Sequence, residues 1–299
     1  MKNRMLWTLA ACSTAAAILF NTGKVQARHY RDGLSTHSHG MVNSCDDLNF
    51  EYEGHDAARA EQHFTVPNSA APLEVDAARN GGLQVVGWTG NDYSVTACKG
   101  AASDGLLKEI SVSVSGSQVT ANGPGDSEWT VYLIVKAPKG SNLSLEAHNG
   151  PIGLRDLSGK VAAHSENGPI SVKNCSGEID SHTVNGPISM SGNGGALKLE
   201  TQNGPISVAL AGNRWGAGGV TAHTENGPLS LEVPANFESG VRVEMSGRSP
   251  VSCHATQCSK SNRTWDDDNR YIEFGGANPT IRMSTVNGPV SVDSDRGNL

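Results

Sequence analysis

Asn149-Gly150-Pro151-Ile152-Gly153-Leu154, Asn167-Gly168-Pro169-Ile170-Ser171-Val172, Asn185-Gly186-Pro187-Ile188-Ser189-Met190 and Asn203-Gly204-Pro205-Ile206-Ser207-Val208 follow one another at intervals of eighteen residues. Two more copies begin at Asn226 and Asn287, twenty-three and sixty-one residues further on. A fixed period marks a repeat architecture, and it outranks any local propensity. The isolated Asn122-Gly123-Pro124 and the variant Asn80-Gly81-Gly82-Leu83-Gln84-Val85 read as degenerate earlier units.

Aligning the six copies on their Asn exposes the columns. Three residues on stand Ile152, Ile170, Ile188, Ile206, Leu229 and Val290; five on stand Leu154, Val172, Met190, Val208, Leu231 and Val292. Between them lie Gly153, Ser171, Ser189, Ser207, Ser230 and Ser291. Such alternation, apolar inward and small outward, is a half-buried strand. Upstream, Leu143, Val161, Ile179, Leu197, Val220 and Ile281 begin a second strand. Ala147, Ser165, Thr183, Thr201, Thr224 and Thr285 lie on the same inward face by parity. Each unit therefore holds two short strands, with Gly159, Gly177, Gly195 and Gly218 at the second corner.

Two topologies compete. Asn-Gly is a strong hairpin signal, but here Pro stands where an N–H should close the turn, and Pro has none. As a corner, Asn-Gly-Pro suits a parallel stack, with the glycine free to take a positive φ and Pro opening a strand. Units stacked about 4.8 Å apart place like residues over one another, and the stacked asparagines can form a hydrogen-bonded ladder. The sequence thus predicts an all-β, right-handed parallel β-solenoid (β-helix) of about 18 residues per coil, flattened because each coil has two strands.

The division that follows is a signal peptide over 1–27, a flexible linker over 28–44 and the β-solenoid domain over 45–299. Within the last, 45–140 are less regular opening coils, including Leu106 to Val119 and Trp129 to Val135. Residues 141–231 are the regular coils, 232–279 an insertion and 280–299 the last coil. The leader pairs Lys2 and Arg4 with an apolar stretch from Met5 to Phe20 and ends Val25-Gln26-Ala27. Cleavage after Ala27 would leave Arg28 as the mature N-terminus; a lipobox reading at Cys12 is the rival. No second long apolar segment occurs, so no transmembrane span is expected in the mature chain.

Export makes disulfides the default for the remaining cysteines. Cys253 with Cys258 is the expected local pair and Cys45 with Cys98 the long-range one, leaving Cys175 free or open to intermolecular pairing. Zinc at Cys253, His254 and Cys258 is the alternative, without a second ligand pair nearby.

Composition narrows function. Gly is 35 of 299 residues, aromatics are 5% and charged residues 18%. Rings that supply the buried area of most enzyme cores are scarce. The net charge is −7 and stands near −10 without Lys2, Arg4 and Lys24, which disfavours nucleic acid and anionic membranes as partners.

The coil pattern Asn-Gly-Pro-Ile-Ser-Val, the segment Val86-Gly87-Trp88, Tyr132-Leu133-Ile134-Val135-Lys136-Ala137-Pro138-Lys139-Gly140 and the closing stretch from Gly275 through Gly288 resemble one family. It is the bacterial β-strand-repeat family catalogued as "putative adhesins" of unknown function, and the resemblance covers about residues 70–299. It implies the solenoid and a non-catalytic envelope role, and it supplies no catalytic residues.

Outward, three before each Asn, run Glu146, His164, His182, Glu200, His223 and Ser284. Carboxylates and imidazoles so stacked could bind a cation or serve as acid and base; the plainer reading is a solvated ladder. Trp215 and Trp265, on the two insertions, complete the candidate interaction surface, with packing over their own loops as the alternative. Asp266-Asp267-Asp268 and Asp293-x-Asp295 lack the spacing of a calcium loop, and His37-Ser38-His39 sits in the linker. No catalytic motif, cofactor or metal site is read from the chain. The expected function is a non-catalytic exported envelope protein whose solenoid surface serves adhesion or assembly. Its partner would be an envelope or extracellular protein or a glycan, in the periplasm, at the cell surface or outside. The alternative is a secreted carbohydrate-active enzyme of β-helix type.

Overall fold

The structure is a computed structural model, and it describes residues 33–38, 40–125, 128–246, 249–265 and 270–295. The leader, Cys12, Arg28 and Asp266 to Asp268 lie outside the described residues.

The strands assort into a three-stranded sheet and two large mixed sheets of 11 and 12 strands. Each repeat gives one strand to each large sheet. Leu143–Ala147, Lys160–Ser165, Glu178–Thr183, Gly195–Asn203, Gly218–Asn226 and Pro279–Asn287 run parallel in the 12-stranded sheet. Ile152–Arg155, Ile170–Lys173, Ile188–Gly192, Ile206–Leu210, Leu229–Val233 and Val290–Ser294 do so in the 11-stranded sheet. Register follows the repeat: Ile152, Ile170, Ile188, Ile206, Leu229 and Val290 pair in succession.

The expected right-handed parallel β-solenoid is corrected by this layout. The two sheets are separate and open, and the 12-stranded sheet carries antiparallel strands at both ends and the 11-stranded sheet at one, so the arrangement is layered and sandwich-like. Two strands per unit build two layers, and nothing in the eighteen-residue period supplies a further strand to close them. The order is also not sequential. Pro279–Asn287 lies between Gly218–Asn226 and Gly240–Met245, and Val290–Ser294 lies between Leu229–Val233 and Val251–Cys253. At the opposite end Leu73–Asp76 and Leu83–Trp88 adjoin the first repeat, with Gln118–Asn122 and Trp129–Pro138 beyond them.

One apolar core fills the space between the sheets, with Ile170, Leu199, Ile206 and Ile281 fully buried in it. Its inward threonine hydroxyls are satisfied across the corner. The Thr183, Thr201, Thr224 and Thr285 side chains donate to the carbonyls of Gly168, Gly186, Gly204 and Gly227 at 2.9–3.1 Å. This is why a polar residue can hold an inward column.

The Asn-Gly-Pro glycines do not use a positive φ as expected. They are required by close approach instead: a Cβ at Gly168, Gly186, Gly204 or Gly227 would stand 2.0–2.3 Å from the carbonyl oxygen of the glycine one unit back. At the second corner Gly195 and Gly218 do adopt positive φ, of 102° and 89°. The asparagines form the expected ladder. Asn149, Asn167, Asn185, Asn203, Asn226 and Asn287 each donate Nδ2–H to the preceding Oδ1 at 2.9–3.3 Å, beginning at Asn80.

Both ends of the core are covered. At one, the helix Asp104–Glu109 lays Leu106 and Leu107 against it, where the sequence reading placed a coil. At the other, the loop closed by Cys253–Cys258 buries Ala255 and Cys258. The strand Leu34–Ser38 lies within the stretch expected as a linker and pairs antiparallel with Leu48–Tyr52. That small sheet is pinned to the outside of the 11-stranded sheet by Cys45–Cys98 and by a cluster of Val42, Leu48, Phe50, Tyr132 and Ile134.

Candidate interaction surface

Strand parity sends one residue in two of the 12-stranded sheet outward, and parallel in-register pairing aligns those residues across the strands. Glu146, His164, His182, Glu200, His223 and Ser284 are successive partners, as the repeat requires. The column continues at both ends into residues that the repeat alignment misses. Asp76 pairs with Glu146, and Glu244 pairs with Ser284. Asp76 was hidden because its unit carries one extra residue before Asn80. Glu244 was hidden because its strand precedes no Asn-Gly-Pro; the alternation in Val241-Arg242-Val243-Glu244 is its signal.

The side chains of the column interact. His164 and His182 stack with ring centroids 5.0 Å apart and planes 8° from parallel, and their Nδ1 atoms are 2.9 Å apart. At that distance the two rings form a hydrogen bond whose direction is set by their tautomers. Glu200 accepts a 2.8 Å hydrogen bond from Lys198, whose ammonium is also 3.8 Å from Asp180. The Glu200 bond holds Lys198 above the usual lysine range. His223 Nδ1 is 2.8 Å from Ser284 Oγ. At the far end Arg242 bonds Glu244 and Glu273 and lies over the Tyr271 ring, 4.0 Å from its centroid. There His223, Arg242, Glu244, Tyr271 and Ser284 border a recess of about 140 Å³, below the ~300–1,000 Å³ of ordinary ligand pockets.

The face is thus polar, with carboxylates, imidazoles and a hydroxyl in register across the strands. It can present regularly spaced hydrogen-bonding groups to a large partner. No group of three or more His, Cys, Asp or Glu side chains suited to a metal ion occurs among the described residues.

The chain resembles bacterial proteins described as "putative adhesins". A "putative adhesin" from Bacteroides fragilis is 12% identical, with 80% of this chain and 97% of that one covered and a TM-score of 0.41. A "putative cell adhesion protein" from Clostridium sporogenes is 12% identical, with 80% and 100% covered and a TM-score of 0.34. A "putative lipid binding protein" from Parabacteroides distasonis is 10% identical, with 80% and 97% covered and a TM-score of 0.27. No family model and no curated protein matches the sequence.

Trp215 and Trp265 part company. Trp215 is buried, with its indole N–H donating to the Gly195 carbonyl at 3.0 Å, so its ring is part of the core and not a surface anchor. Trp265 is 47% exposed, with the Arg270 guanidinium 5.0 Å from its ring centroid. Cys253–Cys258 and Cys45–Cys98 are both disulfides, which rules out zinc at Cys253 and Cys258 and suits an oxidising compartment. Cys175 is a free, buried thiol, and burial pushes its pKa up to about 11, so it is protonated and inert. No helix among the described residues is long and apolar enough to cross a membrane.

Proposed function

We propose that this is a non-catalytic exported protein whose 12-stranded sheet offers its outer face for adhesion or assembly. The observation that carries the reading is the unbroken column from Asp76 through Glu146, His164, His182, Glu200, His223 and Ser284 to Glu244. A partner with its own repeat, such as a glycan or a fibrous or envelope protein, would meet a polar hydrogen-bonding group at each ~4.8 Å step. Many weak contacts made in step give avidity without any deep pocket. The two disulfides support export. Trp265, exposed at the edge beyond this column, is a second anchor for such a partner.

The test is a binding screen of the oxidised mature protein against glycans, matrix proteins and whole envelopes, with released products assayed alongside. Saturable binding without product release is expected. Release of soluble saccharide that disappears in Glu200→Gln would replace this reading with that of a secreted carbohydrate-active enzyme.

A further inference from the structure

We propose that the groove between the small N-terminal sheet and the 11-stranded sheet is a binding site for a neutral saccharide. The site lies on another part of the molecule from the His–Glu column and does not depend on it.

The groove encloses about 440 Å³, within the range of small-molecule sites. Trp129 and Tyr132 line it together with Ser35, Thr36, Asn80 and Asn149, and no charged side chain does. Aromatic rings beside neutral donors and acceptors match a sugar, which has apolar C–H faces and hydroxyls that both give and take hydrogen bonds. A charged ligand would enter this site without a counter-charge, at high desolvation cost.

Two polar groups without a protein partner among the described residues are offered at the groove. Tyr132 is only 6% exposed, but its hydroxyl is not among the fully buried polar atoms and has no hydrogen-bond partner among the described residues, so it stays open at the groove it lines. The cause of its raised pKa is burial alone, so the phenol stays protonated and able to donate. Tyr132 also borders the adjoining recess with Ser38 and Pro151.

The second group is the end of the asparagine ladder. Asn149 Nδ2–H donates to the Arg79 carbonyl at 2.9 Å, an acceptor only, which fixes the orientation of that amide. Asn149 Oδ1 must then accept from Asn167, and the same sense propagates through Asn185, Asn203, Asn226 and Asn287. At Asn80 the ladder arrives on Oδ1, leaving its Nδ2–H without a partner at the groove. Aligned amide dipoles reinforce one another, so this terminal donor is stronger than an isolated amide. A sugar oxygen is its natural acceptor. Gly82 belongs to the same design, since a Cβ there would stand 2.5 Å from the Tyr132 ring.

The experiment is saturation-transfer NMR and calorimetry on the oxidised mature protein. The probes are cellobiose, maltotriose and N-acetylchitotriose, with trigalacturonic acid as the acidic control. At least one neutral probe should bind with Kd of ~1 mM or tighter. Tyr132→Phe, which keeps the ring, and Asn80→Ala, at an exposed site, should each weaken it about tenfold at unchanged Tm. A His164→Ala/His182→Ala variant should bind the sugar as the wild type does, which separates this site from the outer face of the 12-stranded sheet. Preference for the acidic probe, no neutral probe bound at ~1 mM, or full affinity in either groove variant would overturn the proposal.

Discussion

Ile188 and Ser189 are neighbours in one strand, and replacing each by Ala measures how the repeat assigns its two faces. Ile188 is 1% exposed, with Ile170 on one side in the sheet and Ile206 on the other, both fully buried. Ile188→Ala removes three carbons, about 2.4 kcal/mol of transfer free energy at ~0.8 kcal/mol per methylene. The flanking isoleucines are fixed by their own register and collapse poorly into the hole, so a cavity term raises the loss to about 3–4 kcal/mol. Ser189 is exposed between Ser171 and Ser207, and its hydroxyl has no protein partner. Ser189→Ala should therefore change stability by no more than ~0.5 kcal/mol. Urea unfolding of the oxidised protein, followed by circular dichroism at constant m, gives both numbers. A loss below ~1 kcal/mol for Ile188→Ala, or equal losses for the two, would show that the strand faces are misassigned.

Gly186→Ala should cost about 2 kcal/mol, because its Cβ would stand 2.3 Å from the Gly168 carbonyl oxygen and only backbone can move; an unchanged Tm would refute the close-packed corner. Ser181→Ala should raise stability by about 1 kcal/mol, since the Ser181 hydroxyl is buried without a partner in the column that holds Ala163 and Ala222; destabilisation in urea would contradict this. Tyr132 has its pKa raised from 10.0 to about 12 by burial, so the unfolded chain ionises first as pH rises. Its contribution is fully present below pH 10, and stability falls by about 1.4 kcal/mol per pH unit towards pH 12. Tyr132→Phe should lack that part of the alkaline loss, and identical pH profiles for the two proteins would refute it.

Much of this was legible from the period. The columns led by Ile152 and Leu143, the asparagine ladder and the inward threonines follow from a repeat of eighteen residues with strand parity. What the period could not reveal is how units are ordered. Pro279–Asn287 enters between Gly218–Asn226 and Gly240–Met245 because pairing is decided in space, and an intercalated unit has the same columns as a consecutive one. The antiparallel ends, which open the expected solenoid into two layers, arise from segments without Asn-Gly-Pro. The corner glycines were free to take a positive φ, but the constraint on them is contact with a carbonyl eighteen or more residues away. Gly153 interrupts the serine column for a similar reason. The Gln84 side chain lies where a Cβ would go and donates to the Gly153 carbonyl at 3.2 Å. The column runs in register across the sheet and extends to Asp76 and Glu244. Trp215 packs into the core under its own loop, the alternative that its place on an insertion left open.

The most direct test of the functional account is the affinity of the oxidised mature protein for its strongest partner from the screen, measured by biolayer interferometry. Wild type is compared with His164→Ala/His182→Ala/Glu200→Ala, all three outward and remote from the core. At equal Tm, binding should be at least about tenfold weaker in the variant; full affinity with the three side chains removed would show that this column is not the binding face.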